Sequence, residues 1–152
     1  MKKRYDAIVI GGGIVGHAIA YGLQRQQVHT AILDGSDTDF RASRGNFGLI
    51  WVQGKGANCP AYSQLSCLAA EGWPVFAQHL QNETGIDCGL AQPGGINFCF
   101  TQDALENAAQ AMTQLQQHNP AFRFEVWDNP RLRQQVPEVS THIAGAIYSP
   151  HD

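Results

Sequence analysis

Gly11, Gly13 and Gly16 stand at G-x-G-x-x-G spacing inside the stretch YDAIVIGGGIVGHAIAYGL. Each glycine answers a need of diphosphate binding. Gly11 permits a sharp exit from a strand, Gly13 lets a pyrophosphate approach the backbone, and Gly16 lets the following helix lie tight against the strand. The helix N-terminus then offers unpaired N–H groups and a partial positive charge. Asp34 falls about 20 residues after the last glycine, where a carboxylate holds the ribose hydroxyls of an adenosine. Taken alone, the glycines make a turn and the acid is a surface charge or a helix cap. Their mutual spacing is what points to a dinucleotide.

The other reactive side chains form no such pattern. His29, His79, His118, His142 and His151 show no spacing that suggests a relay or a metal site. Cys59, Cys67, Cys88 and Cys99 contain no C-x-x-C pair, so they read as reduced and mostly buried thiols. Trp51, Trp73 and Trp127 read as core or interface residues, and Arg131 and Arg133 as surface charges rather than a carboxylate clamp. No catalytic residue and no metal ligand is assigned.

The surrounding elements have to position the glycines and the acid. YDAIVI, residues 5–10, is a short apolar strand; a helix follows from Ile14 to Gln26; VHTAILD, 28–34, is a second strand. Strand, helix and strand at this length form a βαβ unit with parallel strands. Residues 35–48 form a loop with room for one helical turn, and GLIWV, 48–52, is a possible short strand. A helix spans residues 62–81, with Pro74 placed to kink or split it. CGLAQPGGINFCF, 88–100, predicts an antiparallel hairpin about Pro-Gly-Gly. Thr101 caps the next helix, whose buried stripe is Leu105, Ala108, Ala109, Met112 and Leu115. RFEVW, 123–127, and IAGAIY, 143–148, are strands, separated by a short helix that opens at Asn129-Pro130.

FAD and NAD share the glycine fingerprint, and the segment after Asp34 separates them. A nicotinamide domain moves on to another regular helix and strand. Here the chain enters DFRASRGNFGLIWVQGKG, which carries Arg41, Ser43, Arg44 and Asn46 among glycines. These donors suit further pyrophosphate and flavin contacts and favour FAD.

The stretch YDAIVIGGGIVGHAIAYGL, the strand-end Asp34 and RASRGNFGLI together resemble the FAD-dependent amino-acid oxidoreductases of the D-amino-acid oxidase superfamily, which includes glycine oxidase, sarcosine oxidase and D-amino-acid dehydrogenase. SRGNFGLIWVQGKG looks most like the flavin subunits of opine oxidase, hydrogen cyanide synthase and hydroxyproline dehydrogenase. The resemblance implies an α/β fold: a Rossmann-like FAD-binding βαβ layer with part of an antiparallel-sheet substrate domain, incomplete relative to the family. It implies a FAD-binding segment at residues 1–60, then helices and a partial substrate sheet at 61–152. Carried over by position, Val15 and Gly16 lie by the diphosphate, Asp34 and Gly35 by the adenosine, and Ala42, Ser43, Phe47, Gly48 and Leu49 by the diphosphate and flavin. His17 departs from the pattern, since the family more often has a small residue there. The implied reaction is hydride removal from the amine-bearing carbon of a small amino acid or derivative. Partner subunits are implied as well, and this chain alone is expected to be inactive. A non-catalytic dinucleotide-binding module and a truncated gene product are the alternatives.

The composition agrees with this reading. A chain of 152 residues with net charge −3 and no block of like charges lacks the basic patch that nucleic acid requires. Its longest apolar run is broken by glycines and His17, far short of the ~20 residues of a membrane span. The expected location is cytoplasmic.

Overall fold

Strand β1 (Ala7–Ile10), helix α1 (Ile14–Arg25) and strand β2 (Thr30–Leu33) form the first unit's framework. The computed structural model describes residues 4–36, 38 and 42–152; Arg41 lies outside them. β1 and β2 pair in parallel, from Ala7 opposite Thr30 to Ile10 opposite Leu33. Helix α1 buries Gly16 and Ala20, the small residues that allow close approach to the strands. A four-residue helix, α2 (Ala42–Gly45), supplies the helical turn expected in the following loop. This unit ends at Leu49, and the second runs from Ile50 to Asp152.

In the second unit, β3 (Gly95–Cys99), β4 (Glu125–Asp128) and β5 (Gly145–Ser149) form an antiparallel sheet in the order β3-β5-β4. Alternate residues of the central strand serve opposite faces. Ile147 joins Val52, Cys67, Leu105, Met112, Leu115 and Phe122 in one core cluster. Ala146 joins Trp127 and Leu132 in another. Helix α4 (Gln102–His118) presents its expected stripe, with Leu105, Met112 and Leu115 buried and Ala108 and Ala109 packed against the cluster. The Thr101 side chain accepts the Ala104 N–H at 3.2 Å and caps the helix. Asp128 caps the short helix α5 (Asn129–Gln135) by accepting the Arg131 N–H at 2.9 Å.

Four expectations need correction. Residues 48–52 form no strand: the Gly48 N–H goes to Asn46 Oδ1 and the Val52 N–H to the Asp152 carboxylate, so neither donates to a neighbouring strand. The hairpin at 88–100 does not form either. Its second half is β3, which pairs with β5, while residues 86–92 are irregular. The Pro-Gly-Gly turn is instead held beneath Tyr148, whose hydroxyl donates to the Pro93 carbonyl at 3.2 Å.

Of the two outcomes expected at Pro74, a kink or a split, the split does not occur. Helix α3 runs unbroken from Pro60 to Thr84. Proline has no N–H to give to the carbonyl four residues back, which here belongs to Ala70. Gln92 Nε2 donates to that carbonyl at 3.1 Å, so the bond that Pro74 leaves unmade is replaced by a side chain. Finally, the cysteines are free, but only Cys67 and Cys99 are buried. Cys59 is exposed at the N-cap of α3, and Cys88 in the irregular segment after it. Burial pushes the Cys67 and Cys99 thiols up, away from thiolate reactivity.

Candidate dinucleotide-binding site

The glycine turn begins where the strand pair ends. The Gly11 N–H donates to the Leu33 carbonyl at 2.8 Å, extending the ladder one residue past Ile10. That bond holds the first glycine beside the end of β2, and Asp34 is the next residue. Gly11 then leaves the strand direction with φ +101°, a conformation that side chains disfavour.

Each later glycine meets a different neighbour. A Cβ on Gly12 would overlap the Asp34 carboxylate, so the acid lies directly over the turn. A Cβ on Gly13 would touch only Ser43 Oγ, at 3.4 Å, among the described residues. That face of the backbone is otherwise open. A Cβ on Gly16 would overlap the Gly11 carbonyl, so this glycine serves helix–strand contact.

Helix α1 starts without a side-chain cap of its own, since its N-cap residue is Gly13. Ser43 supplies one from α2: its Oγ accepts the Ile14 N–H at 3.0 Å. His17, in the first turn, places Nδ1 3.1 Å from the Gly13 carbonyl, which also accepts the His17 N–H at 3.0 Å. Asp34 is exposed, and its Oδ1 accepts the Gly35 N–H at 3.0 Å. Gly48 takes φ +72°, and its N–H donates to Asn46 Oδ1 at 2.7 Å. Phe47 and Leu49 on either side are exposed, as are Ile10, Ile14 and Val15 around the turn. Ala42 and Arg44 are exposed on α2.

Thus Gly11, Gly13, Gly16, Asp34, Gly35 and Ser43 converge at one end of the strand pair, with Val15 on the adjoining helix. Sequence spacing missed three relationships here. Gly12 reads as an unconstrained residue of the motif, yet Asp34 fills its side-chain space. The Ser43 cap spans two elements with no periodic signal. The His17 contact with Gly13 depends on a rotamer.

The sequence profile of the FAD dependent oxidoreductase (DAO) family matches residues 6–152. The chain belongs to the FAD-dependent oxidoreductase family. An opine oxidase subunit of Agrobacterium tumefaciens (strain Ach5) is 41% identical over 149 residues, covering 97% of this chain and 40% of that protein. The corresponding opine oxidase subunit of Rhizobium meliloti is 39% identical with the same coverage. The solved structure of glycine oxidase from Geobacillus kaustophilus superposes with a TM-score of 0.86 at 25% identity, over 99% of this chain and 40% of that one. The chain therefore spans about two-fifths of the length of these relatives. The βαβ layer and partial antiparallel sheet are this family's architecture, incomplete relative to its whole length.

FAD is the family's cofactor, and the geometry fits it. The open face at Gly13 is a cradle that a larger side chain would fill, the helix N-terminus beside it suits a diphosphate, and the exposed Asp34 carboxylate is an acceptor of the kind a ribose needs. Among the described residues no cluster of histidine, cysteine and acidic side chains could hold a metal ion, and no helix is long and apolar enough to cross a membrane.

Proposed function

We propose that this chain is the FAD-binding N-terminal part of an enzyme that oxidises the amine of a small amino acid or amino-acid derivative. The observation that carries this reading is the meeting of Asp34, Ser43 and the open Gly13 backbone at the end of β1 and β2. The relatives named opine oxidase and glycine oxidase support the substrate class, and the former, being one subunit of its enzyme, supports partner subunits. The free state of all four cysteines supports a cytoplasmic location.

When bound, FAD supplies the electron acceptor for hydride removal from the amine-bearing carbon. The residues of this chain bind and orient. The backbone at Gly11, Gly13, Val15 and Gly16 receives the diphosphate at the start of α1. Ser43 accepts the Ile14 N–H, which leaves its hydroxyl hydrogen for a phosphate oxygen. Asp34 accepts from the ribose hydroxyls, with Gly35 beside the adenosine. Ala42, Phe47, Gly48 and Leu49 lie by the diphosphate and flavin, where Phe47 and Leu49 present exposed apolar side chains. By ligand, residues 1–60 form the FAD-binding segment and 61–152 the helices and partial substrate sheet. Residues 50–60 continue the flavin-side loop in sequence while folding with the second unit.

The test is a chimera in which this chain precedes the remaining part of the Agrobacterium tumefaciens opine oxidase relative. The expected product retains FAD and reduces a dye with amino acids or their N-substituted derivatives. A folded, FAD-loaded chimera that oxidises hydroxy acids and no amine would overturn the substrate class.

A further inference from the structure

We propose that His17 takes up a proton when the dinucleotide binds, and that the resulting imidazolium counters the charge of the diphosphate. This inference rests on the FAD reading above. Two observations carry it. First, from Ala7 to Ala20 the only side chain able to carry charge is His17. The glycine turn therefore meets an anion with no lysine or arginine of its own. Second, the His17 ring is held at the turn. Its Nδ1 lies 3.1 Å from the carbonyl of Gly13, the N-cap residue of α1 and the glycine with the open face.

That contact fixes the chemistry of the ring. A carbonyl only accepts, so Nδ1 carries the hydrogen and Nε2 is the nitrogen that gains or loses a proton. A diphosphate bound at this turn would favour the charged form of the imidazole, as a nearby opposite charge does. The other charged groups on elements meeting the turn are Asp34 after β2 and Arg44 in α2; Tyr21 stands one turn along α1.

The sign follows from linkage. A group whose pKa rises on binding strengthens binding at low pH and loses that contribution as pH rises through the bound-state value. Bound FAD should therefore tighten as pH falls through the histidine range, by about fivefold to tenfold between pH ~8.5 and ~6, the effect of a shift near one pH unit.

The experiment measures FAD affinity of the full chain across that range, with calorimetry in two buffers of different ionisation enthalpy to count protons taken up. His17→Gln keeps a donor for the Gly13 carbonyl and removes the titration; His17→Leu removes both. The expected results are a pH slope and proton uptake in the natural protein and their loss in both variants. A flat profile with no proton uptake in the natural protein overturns the proposal without needing either variant. A slope that persists in His17→Gln also overturns it, by placing the proton elsewhere. Absence of FAD binding at every pH in a folded chain removes the FAD reading itself, and this inference with it.

Discussion

Asp34 occupies the space that a side chain on Gly12 would need, and it is also the acid proposed to hold the ribose. The two roles separate by mutation. Asp34→Ala should weaken FAD binding by about 1.5–3 kcal/mol, the range for hydrogen bonds to a charged group; unchanged affinity by calorimetry would remove Asp34 from the ribose site. Gly12→Ala should destabilise the chain by about 1–3 kcal/mol through overpacking, and by clearly less when Asp34→Ala has vacated the space. Urea denaturation of the two single variants and the double variant reads this coupling. Strict additivity would mean that the carboxylate has another resting place. The motif's first, third and sixth positions are legible in sequence because their demands are local to the backbone. The demand on Gly12 comes from a residue beyond the next strand, and no spacing rule reports it.

Helix α3 shows why element boundaries escape a local reading. Proline inside a helix leaves a carbonyl without its N–H, and the remedy comes from Gln92, outside the helix. Gln92→Ala should cost about 1 kcal/mol of stability, the usual worth of such a bond. Adding Pro74→Ala should recover most of it, since the new backbone N–H can reach the Ala70 carbonyl. Denaturation midpoints decide, and a double variant no more stable than Gln92→Ala would show that the amide contributes nothing there. The missed hairpin has the same origin. Periodicity identifies Gly95–Cys99 as a strand, but its partner, Gly145–Ser149, comes from much later in the chain. By contrast, α1 and α4 are legible to within a residue or two, because small-residue packing, the Thr101 cap and the apolar stripe are all written locally.

At the scale of the molecule, the first unit offers a parallel pair of strands with Ile8, Ile10 and Leu33 exposed. The second offers part of a family architecture that continues in its relatives. Among the described residues neither contains an evident clamp for a substrate carboxylate: Arg131 lies with its guanidinium carbon 5.7 Å from the Trp127 ring centroid, and Arg133 is exposed in the last turn of α5. The chain by itself should therefore bind FAD without oxidising amines, and its open apolar strands should make it prone to associate. Steady dye reduction by a monomeric preparation, assayed with glycine, sarcosine, proline derivatives and D-amino acids, would contradict that expectation. The family is legible in sequence because the glycine spacing, Asp34 and the loop after it stand together in one early stretch. The substrate is not, because no residue of comparable specificity stands in the rest of the chain.

The central claim is that the glycine turn, Asp34 and the loop after it form a FAD site. The most direct measurement is the affinity of the purified chain for FAD and for NAD, with Gly13→Val as control. FAD should bind at least about tenfold more tightly than NAD, the equivalent of about 1.4 kcal/mol. Gly13→Val, which fills the open face of the turn, should remain folded and lose that binding. Equal or tighter binding of NAD, or full FAD binding by a folded Gly13→Val chain, would contradict the account.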